Sequence, residues 1–351
     1  MKGEVYETGF RLSGMITALL LLLAIPGPRF EKVSEGVYAA LQADGERFND
    51  CNSVVLVNAD GVTVVDTFTS PVTARWLLQE IGKVTRQPVR YVINTHWHGD
   101  HVGGNQAFTG AEIIGHLTQP EDIEKRAKPD AEGDLKKLPE QIETARKQLA
   151  SGQARNGQPL SDEQKRRLAR TIELSENRLE ALRQTRFTTP SLVFERRLTL
   201  HRGGREIQLL HFRAHTRGDV VVFLPGEKLL ITGDLLDDLP FGGHGYPSEW
   251  IAALDELEKF DFETMIPGHG RIRRGKEHLR LVREVFVALL QQTREAAAKG
   301  MSLADTKKVV NYEPFRERLT GGDELAGRFF NFFLPEFIER AYLETTGKLK
   351  E

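Results

Sequence analysis

The run VINTHWHGDHVGGN, Val92 to Asn105, puts three histidines and an aspartate within six residues: His96, His98, Asp100 and His101. The whole chain of 351 residues has only ten histidines, so this crowding needs a chemical reason. VRYVIN, which leads into the run, is short and rich in β-branched and aromatic residues and reads as a strand. Side chains alternate along an extended segment, so His96 and His98 point the same way. Both can then reach one cation at about 2.0–2.1 Å, the zinc–nitrogen distance. Gly99 lets the chain turn sharply, which frees Asp100 and His101 to face a second centre beside the first. Paired metals in hydrolytic sites lie about 3.5–4 Å apart.

Two centres need more donors than four, and three further places offer them. His215 precedes a strand in FRAHTRGD, Asp234 ends one in LLITGD, and His269 follows another in IPGHG. Each has a small or flexible neighbour at a strand end, where loops gather function. His96, His98 and His215 would hold the first metal, and Asp100, His101 and His269 the second. Asp234 would bridge them, because a carboxylate has two oxygens to share.

Around these residues the texture is α/β. GVYAAL, SVVLVN, GVTVVD, AEIIG, SLVFERRLTL, REIQLLHF, DVVVFLP, KLLITGD and TMIPGHG all read as strands. SPVTARWLLQEIGKV reads as a helix with Pro71 in its first turn. Residues 121–188 depart from this pattern. Leu138, Ile142, Ala145 and Leu149 form one narrow helical stripe, and Leu168, Ile172, Leu179 and Leu182 another, opened by a Ser161/Gln164 capping box. This is a helical hairpin inserted into the main domain. Its mixed charge reads as a solvated surface ornament, with a lid over the site or a dimer contact as the alternatives. Residues 276–351 read as a C-terminal helical extension, and the catalytic domain as 29–275.

Composition narrows the function. With 48 basic and 50 acidic residues the net charge is −2, which gives no broad footprint for nucleic acid. The single cysteine, Cys51, excludes an internal disulfide and a cysteine-rich zinc module. The apolar run Met15–Ile25 is shorter than the roughly 20 residues of a membrane span. It fits the apolar region of an export signal within residues 1–28, although Glu4 and Glu7 dilute the basic flank and no A-x-A site follows. Export to the periplasm or the outside is the expectation, with a cytoplasmic protein as the alternative if the segment is no signal.

The motif set resembles the metallo-β-lactamase-fold hydrolase superfamily. THWHGDH fits its signature, AHT its third histidine, GD its bridging aspartate, PGHG its last histidine, and VVDT the strand whose aspartate, here Asp66, supports the metal histidines. The resemblance covers roughly residues 33–118 and 192–271. It implies a four-layer αββα sandwich with the metals at one edge between two sheets. The hairpin and the C-terminal helices lie outside it. It further implies a binuclear zinc hydrolase in which a bridging hydroxide attacks an ester-like, thioester, amide or phosphoester bond of a small molecule. Zinc lowers the pKa of a bound water from about 15.7 to about 7, and Asp100 would orient that nucleophile. His244 and Tyr246, in the glycine-rich loop PFGGHGYPSEW, are candidate substrate contacts. Iron and manganese also suit these donors. An iron-dependent oxidoreductase resembling persulfide dioxygenases is therefore one alternative, and a β-lactamase is another. Asp234 argues against the latter, whose relatives usually carry cysteine or serine there. A homo-oligomer is compatible with all of these readings.

Overall fold

A computed structural model of the chain describes residues 27–350. The N-terminal apolar run discussed above falls outside them. Among the described residues no helix is long and apolar enough to cross a membrane.

Two sheets face one another. The first runs β1 (Arg29–Ser34), β2 (Val37–Leu41), β3 (Ser53–Asn58), β4 (Gly61–Val65), β5 (Val89–Ile93), β6 (Glu112–His116) and β7 (Leu192–Phe194), in that spatial order. The second contains β8 (Arg197–Arg202), β9 (Arg205–Phe212), β10 (Asp219–Leu224), β11 (Leu229–Gly233), β12 (Thr264–Pro267) and β13 (Arg273–Arg274), also as neighbours in sequence order. The period-two alternation of strands divides their side chains between layers. In β10, Val220 and Val222 pack between the sheets against Leu56, Ile93 and Ile114, while Val221 and Phe223 point outward. The outer face of the first sheet is covered by helix α1 (Pro71–Val84) through Ala74, Leu77 and Ile81. Helices α4 (Pro247–Leu257), α5 (Glu277–Ala298) and α6 (Glu324–Thr345) cover the second sheet through Trp250, Phe286 and Phe337. This is the αββα sandwich.

Between α1 and α4 in sequence stand the hairpin helices α2 (Lys128–Ser151) and α3 (Asp162–Gln184). The Ser161/Gln164 capping box makes both of its reciprocal bonds, and the two leucine-rich stripes meet in a small core of their own.

Two departures from the sequence reading have physical causes. SLVFERRLTL is not one strand. Its first half pairs with β6 and its second with β9, so the chain changes sheet at Glu195–Arg196. β1 carried no usable signal because it is a half-exposed edge strand, RFEKVS, paired on one side only.

The topology delivers the chemistry. β4 and β5 run parallel, as do β11 and β12, so the ends of these strands open on one edge of the sandwich. The chain carries Asp66, the HWHGDH turn, Asp234 and His269 out of those ends. The amide of Val220 donates to the carbonyl of Thr95 at 2.7 Å and ties the sheets together there. A close backbone approach fixes the turn: a Cβ on Gly103 or Gly104 would lie 2.0 Å from the carbonyl oxygen of Thr69 or Thr67.

Away from that edge, His116 stacks on His211 with ring centroids 3.7 Å apart. Burial and then the neighbouring imidazole push His116 down from its ordinary 6.5 to about 4. The folded state therefore binds fewer protons than the unfolded chain between those values, and stability falls as pH drops from 6.5 through 4. His116→Gln should flatten that part of the profile of unfolding free energy against pH, followed by urea denaturation. An unchanged slope would contradict the assignment.

Candidate metal centre

In His96, His101 and His215 the role of one ring nitrogen is fixed by its partner, and this determines the other. Thr95 is the hub. Its amide and hydroxyl donate to the two oxygens of Asp66 at 2.8 and 2.7 Å. The hydroxyl proton is thereby used, so the contact of His96 Nδ1 with Thr95 Oγ1 at 3.0 Å requires the imidazole to donate. His96 Nε2 is then unprotonated, and it is buried without a partner. His215 Nδ1 donates to the carbonyl of Phe241 at 3.0 Å, which leaves His215 Nε2 bare as well. His101 Nδ1 lies 2.8 Å from Asp66 Oδ2 and donates to it, so His101 Nε2 faces inward with its lone pair.

Those inward atoms are close to one another. His98 Nδ1 is 3.2 Å from His215 Nε2. His101 Nε2 is 3.4 Å from His269 Nε2 and 3.1 Å from Asp234 Oδ1. His269 Nε2 is 3.1 Å from Asp100 Oδ2. Asp234 Oδ2 stands 3.6 Å from both His96 Nε2 and His215 Nε2. Lone pairs at such spacings repel unless positive charge sits among them. Among the described residues three overlapping groups of donors are compatible with metal binding: His96, His98, His215 and Asp234; Asp100, His101 and His269; and Asp234, Asp237 and His269. Asp234 faces His96 and His215 of the first group through Oδ2, which is also 3.7 Å from His269 Nε2, and His101 of the second through Oδ1.

The electrostatics differ between the groups. Burial, then the surrounding imidazoles, hold His96 and His98 well below the usual histidine value, so both stay neutral. At His269 burial opposes the charge, but Asp234 and Asp100 outweigh it and lift the imidazole to about 10. His101 is raised in the same way, by Asp234 first among the carboxylates. Burial acts against Asp100 and Asp234 too, yet His101 and His269 drive both far below the ordinary carboxylate range. The second group therefore draws positive charge. A proton can answer that demand at one nitrogen only, whereas a divalent cation answers it at all donors together. The residues present fit bound metal.

Asp66 does its work under strain. Its φ is +59°, a left-handed conformation that carries a cost for any residue but glycine, though aspartate and asparagine adopt it more readily than most. Its two oxygens gather Thr95 and His101, and through them His96.

Several contributors had no motif. Asp237 Oδ1 accepts from the amide of His269 at 2.7 Å, and Asp238 from that of Arg271 at 3.0 Å. Their only trace was the acidic run after Asp234. Gln119 Nε2 donates to the carbonyls of Asn94, Thr95 and Gly218 and joins the two sheets behind the site. The candidate substrate contacts part company. His244 lines a cavity of about 350 Å³ beside the cluster, together with Trp97, Asp100, Phe187 and Phe241. Tyr246 does not. It is buried, with the guanidinium groups of Arg213 and Arg340 4.0 and 5.4 Å from the centre of its ring. The hairpin expected as a solvated ornament supplies part of the cavity wall through Asp130, Arg178 and Leu182.

Comparison with known proteins fits this geometry. The sequence profile described as the metallo-beta-lactamase superfamily matches residues 47–269, more than half of the chain. A linear primary-alkylsulfatase of Pseudomonas sp. (strain ATCC 19151) is 27% identical over 267 residues, covering 73% of this chain and 49% of that protein. The solved stereoselective inverting sec-alkylsulfatase Pisa1 from Pseudomonas sp. superimposes with a TM-score of 0.63 at 16% identity, over 90% of this chain and 50% of that one. A double mutant of PisA1 gives 0.64 at 15% identity, over 91% and 50%. The chain thus spans about half the length of these relatives.

Asp66→Asn keeps the shape and tolerates the left-handed backbone, but removes the charge behind His101. It should weaken metal binding about 10–100-fold, as loss of such outer partners typically does. Competition against a chromogenic chelator measures this, and an unchanged affinity would remove Asp66 from the role.

Proposed function

Because the chain belongs to the metallo-beta-lactamase superfamily, we propose that it is a metal-dependent hydrolase with two cations, zinc in the first instance, and that its substrate is a sulfate monoester of an apolar alcohol. The observation that carries the metal reading is the pair of donor groups facing Asp234 through its two oxygens. His96, His98 and His215 would hold one ion, Asp100, His101 and His269 the other, and Asp234 both. Such ions supply Lewis acidity and make water nucleophilic at neutral pH.

The chain's own residues do the rest. Asp100 lines the cavity while its Oδ2 faces His269, so its other oxygen is available to orient the attacking water. Trp97, Phe187 and Phe241 offer apolar surface to an alkyl or aryl group, which supports an ester with a hydrophobic alcohol part. The balanced reaction is R–O–SO₃⁻ + H₂O → R–OH + HSO₄⁻. The likeness to the Pseudomonas alkylsulfatase favours this bond over the thioester, amide and phosphoester alternatives. Export is part of the same reading, supported by the apolar run Met15–Ile25.

Elemental analysis should find two ions per chain, and fewer than two in Asp234→Ala; unchanged loading would remove Asp234 from the bridging position. In a substrate panel, sulfate should be released from a primary alkyl sulfate. Turnover confined to thioester, lactam or phosphodiester would overturn the choice of bond, and oxygen consumption on a persulfide would favour the iron-dependent alternative.

A further inference from the structure

His98 differs from the other histidines of its group in how its outer nitrogen is held. His96 leans on a hydroxyl and His215 on a carbonyl, both on neighbouring backbone or loop. His98 Nε2 instead lies 2.8 Å from Nδ1 of another imidazole, His244, which is 146 residues further along the chain. His98 turns Nδ1 toward the donor group, so as a ligand it carries its proton on Nε2. That proton can go only to the lone pair of His244 Nδ1, which places the proton of His244 on Nε2. Among the described residues His244 Nε2 has no protein partner, and His244 lines the cavity.

The loop is built to keep His244 there. A Cβ on Gly242 would fall 2.4 Å from the backbone of Phe337 in α6, and one on Gly245 would fall 2.7 Å from the ring of Trp250. Only glycine lets the loop lie so close to the helical layer. Arg340, also on α6, donates to the carbonyls of Gly245 at 2.7 Å and His244 at 3.4 Å. Trp97, the residue between the two motif histidines, packs its ring 5.1 Å from that of His244.

We propose that His244 is a positioning residue that fixes the tautomer and orientation of the metal ligand His98, and that the C-terminal helix α6 sets it in place. The inference rests on the cluster being a metal site. It gives the helical extension a part in the chemistry, because the loop is packed against α6.

Two variants separate this from a merely structural role. Asparagine places an oxygen about where Nδ1 stands, so His244→Asn keeps an acceptor for His98. Phenylalanine keeps a flat ring without one. Metal affinity by chelator competition should fall about 10–100-fold in His244→Phe and stay within a few-fold of wild type in His244→Asn. The ligand-field spectrum of the cobalt(II)-loaded protein should shift in the first and not in the second. Wild-type affinity and spectrum in His244→Phe would overturn the proposal, as would equal losses in both variants. If the unaltered protein takes up no metal, the reading of the cluster itself fails. Loading of wild type and phenylalanine variant alike leaves that reading intact and sinks only the role of His244.

Discussion

Imidazole nitrogens and carboxylate oxygens cannot be held 3.1–3.6 Å apart in a buried place without positive charge, a proton's or a cation's, between them. The rest of the site serves that constraint. Thr95 and Asp66 place protons on the outer nitrogens of His96 and His101, the Phe241 carbonyl does so for His215, and the inner nitrogens are left bare. The strain of Asp66 in a left-handed conformation is tolerated because three hydrogen bonds converge on its two oxygens.

The fold makes such an arrangement affordable by separating rigidity from variation. The clustered histidines and aspartates leave the ends of strands whose other residues are packed between two sheets, so their backbones have little freedom. What surrounds the cluster comes from elsewhere: the inserted hairpin lends Arg178 and Leu182 to the cavity, and α6 pins the loop of His244. Selectivity for the organic part of a substrate can then change without disturbing the donors, which is how one fold accommodates many reactions.

The sequence exposed the side chains that converge in the cluster well and their surroundings poorly, for a physical reason. His96, His98, Asp100 and His101 are close along the chain, and His215, Asp234 and His269 sit at strand ends flagged by apolar runs and glycine, so local pattern was sufficient. Apolar runs such as β10 marked the strands, the αββα layering came from the resemblance that the metal motifs carry, and the hairpin came from two helical stripes. The contact of His98 with His244, by contrast, depends on how a helix at the far end of the chain packs, and no local pattern encodes that. The hairpin's place beside the cavity is a tertiary fact of the same kind. Tyr246 looked like a substrate contact because it shares a loop with His244, yet two residues further along that loop the side chain is buried beside two arginines. The crossing of Glu195–Arg196 from one sheet to the other was hidden because a strand that changes partners keeps its strand-like composition.

The most direct measurement is anomalous diffraction at the zinc edge from crystals of the zinc-loaded protein. Two peaks are expected about 3.5–4 Å apart, one beside His96, His98 and His215, the other beside Asp100, His101 and His269, with Asp234 between them. A single peak, or none within bonding distance of Asp234, would contradict the two-cation reading.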